Sequence, residues 1–414
     1  MKNDINVRGN RLLSRLEQLG EIGATEYGGV SRIALTEADV MGRNLLIRWM
    51  EEDGLQVSVD KIGNIFGTLN IGDSSAAPLM IGSHLDSVAN GGKLDGPYGV
   101  LAGLEVAKSI NDAVKTGTYL PARPIVVANF TNEEGVRFQP DMMGSLVFAN
   151  GLPLAEALAV QDRDGVSLGE ALAEGEFVGT LAVGAIRPHT FLELHIEQGP
   201  ILEAEDISIG VVEHLQGIQW SEITLKGQAN HAGTTPMSMR RDAGLVAAEI
   251  AIEVRRLTTI FDDQLGTIGA ISHTPGLLNV VPAQSKLSLD LRNPHQETLL
   301  KAQAHIEAYA QSRAKAENVE VEIKPLVQFA PVEFDKNISN IIERTAQNKG
   351  YSTKRMISGA GHDAQMLARI CPAGMIFVPS IKGISHNPKE ATKTEDLVKG
   401  LDVLTSTAAE ICRH

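Results

Sequence analysis

Short, continuous apolar runs separated by helix-like stretches constrain this chain more than any other feature. Leu79-Met80-Ile81 precedes a Gly-rich segment and then the helical pattern Val100 to Ile110. Pro124 to Phe130 (PIVVANF) is a β-branched run, and Phe191 to Ile196 and Met375 to Val378 are further short runs. Runs that are apolar at successive positions belong to strands buried on both faces, as in parallel sheets covered by helices. The expectation is an α/β core with a mostly parallel sheet. Leu12, Leu13, Leu16 and Leu19 fall at helical spacing and predict an amphipathic helix ahead of that core.

The stretch from about Gly217 to Pro331 has a different pattern. Trp220 to Lys226 alternates as a strand, and Arg241 to Leu257 reads as a helix with Val246, Ile250 and Val254 on one face. Strand-like runs follow at Gly266 to Ser272 and Lys286 to Arg292, then a helix at Glu297 to Glu317 and a strand at Val319 to Leu326. That β-α-β-β-α-β order predicts a ferredoxin-like α+β domain inserted into the α/β chain. The expected division is a discontinuous core, 1–214 and 332–414, and an inserted domain, 215–331.

Four clusters of ligand-type residues sit at or just after the apolar runs. They are Gly82-Ser83-His84-Leu85-Asp86 with Asp95 behind it, Thr131-Asn132-Glu133-Glu134-Gly135, Glu193-Leu194-His195, and Gly383-Ile384-Ser385-His386. In open α/β sheets ligands bind beyond the carboxyl ends of the strands. Singly, each has an ordinary reading: His84 and His195 as hydrogen-bonded core residues, Glu133-Glu134 as a solvated turn, Asp95 as a turn residue before Gly96-Pro97. Their coincidence at four strand ends favours a shared site. The two cysteines, Cys371 and Cys412, cannot build a thiolate cluster. Imidazole with carboxylate suits zinc, manganese, cobalt or nickel. Two ions about 3.5–4 Å apart need a bridging ligand, which a carboxylate supplies.

Charge narrows the partners. Lys plus Arg number 37 against 51 Asp plus Glu, a formal charge of −14. Such an excess argues against nucleic acid and against anionic membranes. Met1 to Gly20 lacks the apolar core of a secretory signal, and no run approaches a membrane span, so a cytoplasmic protein is expected.

The motifs GSHLDSVANGGKLDGPYGVLAGLEV (82–106), TNEEGVRF (131–138), LELHIEQGPILE (192–203), NHAGTTPMSMRRD (230–242), SGAGHDAQ (358–365) and GISHNP (383–388) carry a resemblance across nearly the whole chain. It resembles the N-carbamoyl-L-amino-acid hydrolases, with allantoate amidohydrolases and β-ureidopropionases sharing the pattern, within the wider dinuclear metallo-aminoacylases and peptidases. The resemblance implies two divalent ions per subunit, zinc first and manganese, cobalt or nickel as alternatives. His84, Asp95 and His195 would hold one ion; Asp95, Glu134 and His386 would hold the other. Glu133 would be the general base, and Asp86 would orient the His84 imidazole. Gln198, His231, Asn279, Arg292 and Gly361 would bind substrate, with His231 also donating to the developing oxyanion and Arg292 clamping a carboxylate.

The implied reaction is hydrolysis of the ureido C–N bond of an N-carbamoyl-L-amino acid to amino acid, CO₂ and ammonia. Allantoate or N-carbamoyl-β-alanine are the nearest alternative substrates. An aminoacylase, a dipeptidase and a non-catalytic binding scaffold are more distant rivals. The resemblance also implies that the inserted domain is a mobile lid and the dimerisation surface of a homodimer.

Overall fold

The computed structural model describes residues 5–413. The chain forms two compact units, one running to Glu213 and resuming at Glu333, the other His214–Val332. In chain order the strands are β1 (Gln56–Val59), β2 (Ile65–Leu69), β3 (Leu79–His84), β4 (Ile125–Phe130), β5 (Thr190–Ile196), β6 (Ile209–Leu215), β7 (Gly217–Lys226), β8 (Asn230–His231), β9 (Leu265–Thr274), β10 (Val280–Val281), β11 (Gln284–Asn293), β12 (Glu320–Phe329), β13 (Val332–Glu333), β14 (Thr353–Ser358) and β15 (Ala373–Val378).

The discontinuous unit is built on a sheet of order β1-β2-β4-β3-β5-β15-β6-β13, with β14 paired to β6. Strands β4, β3, β5 and β15 run parallel to one another. Outside them the pairings β1–β2, β2–β4 and β15–β6 are antiparallel. The sheet is therefore mixed, with its parallel character in the centre, where the apolar runs lie. All residues of β3, β4, β5 and β15 are buried.

The helix expected over Val100 to Ile110 spans Pro97–Lys115. Pro97 opens it, where no N–H is needed and the fixed φ already suits a helix. It packs on β3, β4 and β5 and is covered by helices Gly9–Gly20 and Thr394–Ile411, which explains its long buried face. Leu12, Leu16 and Leu19 of the N-terminal helix are buried, and Leu13 is half-buried.

One strand runs further than its apolar run, and another carries polar residues within its own. β3 continues beyond Ile81 through Gly82 and Ser83 to His84, and β5 carries Glu193 and His195 inside it. These polar residues stay buried because they are paired: the Ser83 hydroxyl donates to Glu193 Oε1 at 2.6 Å.

In the His214–Val332 unit, four strands form an antiparallel sheet of order β12-β7-β11-β9. Helices Ala243–Ile260 and Gln296–Ala316 pack on it. Ile223, Leu225, Leu287, Leu289 and Leu291 share one apolar cluster with Val246, Ile250, Val254 and Ile306. Asp242 sets the start of the first helix by accepting the N–H of Gly244 and of Leu245. Among the described residues no helix is long and apolar enough to cross a membrane.

Candidate metal centre

His84 is the last residue of β3, His195 the penultimate residue of β5, and the Thr131–Gly135 turn begins where β4 ends. Parallel neighbours bring these three carboxyl ends together. Ligand atoms of His84, Asp95 and His195 lie within 4.8 Å of one another, and so do those of Asp95, Glu134 and His386. Asp95 belongs to both groups. Its Oδ1 is 3.2 Å from His195 Nε2, and its Oδ2 is 3.2 Å from His386 Nε2. Glu134 Oε2 is 3.4 Å from His386 Nε2, and Glu133 Oε2 is 3.4 Å from His84 Nε2.

Backbone carbonyls aim the two buried imidazoles. Nδ1 of His84 is 2.9 Å from the Asp86 carbonyl, and Nδ1 of His195 is 2.9 Å from the Ile196 carbonyl. A carbonyl only accepts, so Nδ1 carries a proton in both rings and Nε2 is the atom turned to the carboxylates. Gly96 makes room for this: at φ +83°, a Cβ there would stand 2.4–2.6 Å from the His84 ring.

Asp86 meets His84 through its backbone carbonyl, while its side chain is engaged elsewhere. Its carboxylate does not face His84; it accepts the backbone N–H of Glu133 and of Glu134, both at 3.2 Å. Only its carbonyl orients the imidazole. The chain turns after His84, so the side chain two residues on no longer shares that residue's direction.

Electrostatics mark the centre as built for cations. Burial, then the carboxylates of Asp363, Glu134, Asp86 and Asp95, hold Glu133 well above the usual carboxylate range. Burial, then Asp95 and Asp86, does the same to Glu134. Burial lowers His84 to about 4, keeping that ring neutral. Burial opposes a charge on His195 as well, but its contact with Asp95 wins and lifts it to about 9. A lone pair facing a carboxylate oxygen at 3.2 Å needs a cation or a proton between them. Two groups of imidazole and carboxylate, joined by one aspartate with both oxygens engaged, fit a pair of divalent ions.

Other expected residues fall as follows. Gln198 donates from Nε2 to Asp95 Oδ2 at 2.8 Å, so it is a partner of the shared aspartate. Gly361 lies against Met142, in the loop before helix Asp363–Leu367. Within the inserted unit, His231 and Asn279 meet at the β8–β10 ribbon, where the Ala232 N–H donates to the Asn279 carbonyl at 2.9 Å. Arg292, on β11, is forked on Asp290, with Nη2 3.0 Å from Oδ2.

Glu193 and His362, which the sequence left without a role, join the centre, and so does Glu390, which the sequence reading missed. Buried Glu193 accepts the Ala364 N–H at 2.8 Å and forms a third potential ligand group with His195 and His362. The His362 ring centroid is 4.5 Å from that of His195. Glu390 accepts the N–H groups of Leu94 and Asp95. A broad cavity of about 770 Å³ borders Val136, just past the Glu133-Glu134 turn, but is lined by Ile33, Leu35, Val40 and Arg137 among others and by none of the imidazoles.

Comparison with known proteins places this arrangement among relatives. Residues 80–410 match the model of peptidase family M20/M25/M40. An N-carbamoyl-L-amino-acid amidohydrolase of Rhizobium meliloti is 42% identical over 408 residues, 98% of this chain and 96% of that protein. An allantoate amidohydrolase of Bacillus subtilis is 35% identical over 401 residues, 96% of each. The crystal structure of a hydantoinase/carbamoylase family amidase from Burkholderia multivorans superposes with TM-score 0.93 at 40% identity, covering 99% of both chains.

Proposed function

Because the chain belongs to peptidase family M20/M25/M40 and is an amide-hydrolysing enzyme, we propose that it hydrolyses the ureido C–N bond of N-carbamoyl-L-amino acids. The net reaction converts the ureido compound and one water into amino acid, CO₂ and ammonia. The observation that carries this reading is Asp95 shared between two imidazole–carboxylate groups, with Glu133 beside them, in a chain 42% identical to an N-carbamoyl-L-amino-acid amidohydrolase over nearly its full length.

Two divalent ions per subunit, zinc first, would be held by His84, Asp95 and His195 and by Asp95, Glu134 and His386. Bound there, they would supply Lewis acidity for ionising water near neutral pH and for polarising the poorly electrophilic ureido carbonyl. Glu133 takes the proton of the attacking water and returns it to the leaving nitrogen. Asp86 fixes the turn carrying Glu133 and Glu134 through their N–H groups. His231 donates to the oxyanion, and Arg292 exchanges Asp290 for the substrate carboxylate. Gln198, Asn279 and Gly361 complete substrate binding. The inserted unit acts as lid and dimerisation surface of a cytoplasmic homodimer.

Allantoate is the second reading, favoured by the Bacillus subtilis relative. Ammonia release from a panel of N-carbamoyl-L-amino acids, N-carbamoyl-β-alanine, allantoate and an N-acetyl amino acid decides the substrate. The N-carbamoyl-L-amino acids are expected to give the highest kcat/KM. Preference for the acetyl compound overturns the ureido assignment.

A further inference from the structure

Asp95 and His386, the residues that define the second ion site, come from two loops far apart in sequence. Asp95 ends the loop Gly91-Gly92-Lys93-Leu94, and His386 lies in Gly383–Pro388. One buried side chain joins these loops. Glu390 Oε1 accepts the backbone N–H of Leu94 at 3.0 Å and that of Asp95 at 3.1 Å. Its Oε2 is 3.0 Å from the hydroxyl of Ser385, the residue before His386. The same hydroxyl lies 3.2 Å from Asp95 Oδ2. The backbone N–H of Glu390 donates to the Asn387 carbonyl at 3.0 Å, closing its own loop.

The fit is close on the far side too. A Cβ at residue 92 would stand 1.9 Å from Glu390 Oε1, so only glycine there admits the carboxylate. Glu390 is 9% exposed. A carboxylate held on two N–H groups and a hydroxyl fixes geometry in three directions.

We infer that Glu390 is a positioning residue of the metal centre: its carboxylate staples the Asp95 loop to the His386 loop and sets the spacing of the site that Asp95, Glu134 and His386 form. It touches no reacting atom in this role. His84 and His195 are aimed separately, by the carbonyls of Asp86 and Ile196. Loss of the staple therefore acts first on the ion held by His386. This inference rests on the reading of Asp95 and His386 as metal ligands.

The test is calorimetric titration of metal-stripped protein with Mn²⁺ alone, comparing wild type with Glu390→Ala, Glu390→Gln, Ser385→Ala and the control His386→Ala. Wild type is expected to take up two ions. Glu390→Ala is expected to weaken one of them by about 10–100-fold, the cost of losing a partner that orients a ligand. Glu390→Gln keeps an oxygen for the two N–H groups and an amide N–H for Ser385, and is expected to recover most of that loss. Ser385→Ala, which cuts only one arm, is expected to fall between. Two ions bound by Glu390→Ala with wild-type affinity would overturn the inference; so would Glu390→Gln as weak as Glu390→Ala. If Glu390→Ala does not fold, wild-type binding by Ser385→Ala together with defective binding by Glu390→Gln overturns it. Failure of wild type to bind two ions, or an unaltered His386→Ala, would instead sink the underlying ligand assignment.

Discussion

Oδ1 of Asp95 and Nε2 of His195 face each other at 3.2 Å, while the other ring nitrogen of His195 is committed to the Ile196 carbonyl. Held this way in a buried site, the two atoms must share a cation or a proton. The second oxygen of Asp95 faces His386 in the same manner. One residue is thus shared by both imidazole–carboxylate groups.

Asp95→Asn is the sharpest test of that statement. The amide keeps the size and polarity of the side chain but loses the charge and one acceptor oxygen. Both ions are expected to be lost, with a fall in activity beyond the roughly 10–100-fold typical of an orienting partner. Elemental analysis after dialysis at fixed free metal, alongside ammonia release, checks it. Retention of two ions per subunit would mean that Asp95 does not bridge.

Asp86 is expected to act through the turn. Asp86→Ala leaves the buried N–H groups of Glu133 and Glu134 without their acceptor, each costing about 1–3 kcal/mol. The turn should shift, lowering kcat about 10–100-fold. His84 should keep its orientation, because the carbonyl at residue 86 survives the substitution. A crystal structure of the variant with kcat measured in parallel checks both halves. A displaced His84 with an unmoved turn would refute it.

The convergence of these residues was legible in the sequence because histidine and carboxylate at the ends of neighbouring strands are bound to meet. Their partners were less so. Glu390 is 296 residues from Leu94 and 295 from Asp95, and it meets them through backbone N–H groups, which every non-proline residue has. No spacing encodes such a contact. Asp86 was legible as the partner of His84, but not which of its oxygens reaches the ring, since the turn after β3 decides that. The Pro97–Lys115 helix outran its apolar pattern for a related reason: its last turns include Asn111 and Asp112, whose polarity reads as an ending. The alternating strands and amphipathic helices of residues 214–332 were the most legible part, because one face of each is buried in a single cluster.

Asp60 gives the chain a pH dependence away from the ligands. Its carboxylate accepts the N–H groups of Ile62 and Asn64 and the Asn64 amide, while Asn64 Oδ1 accepts the N–H of Thr131 at the head of the turn that carries Glu133 and Glu134. Burial outweighs these bonds and raises Asp60 from 3.8 to about 6. The folded chain therefore holds this proton more tightly than the unfolded one between those two values. Its contribution to stability is present at pH 4, falls as pH rises to about 6, and is flat above. The change is on the order of 3 kcal/mol. Asp60→Asn cannot titrate there. Urea unfolding of both proteins with chelator present should show the stability of wild type relative to the variant declining from pH 4 to 6. A constant difference would show that Asp60 ionises freely in the fold.

Glu133→Gln isolates proton transfer from metal binding. Glu133 sits 3.4 Å from His84 and is fixed by Asp86, but neither ligand group needs it. The amide preserves its shape and cannot accept the water's proton. The expected result is a fall in kcat of about 10²–10⁴-fold, the usual contribution of a positioned acid–base group, with two ions retained and KM little changed. That split distinguishes a proton carrier from a ligand, whose loss would empty the site, and from a substrate contact, whose loss would raise KM. An unaltered kcat in a fully metallated variant would remove Glu133 from the chemistry and leave the centre without its base.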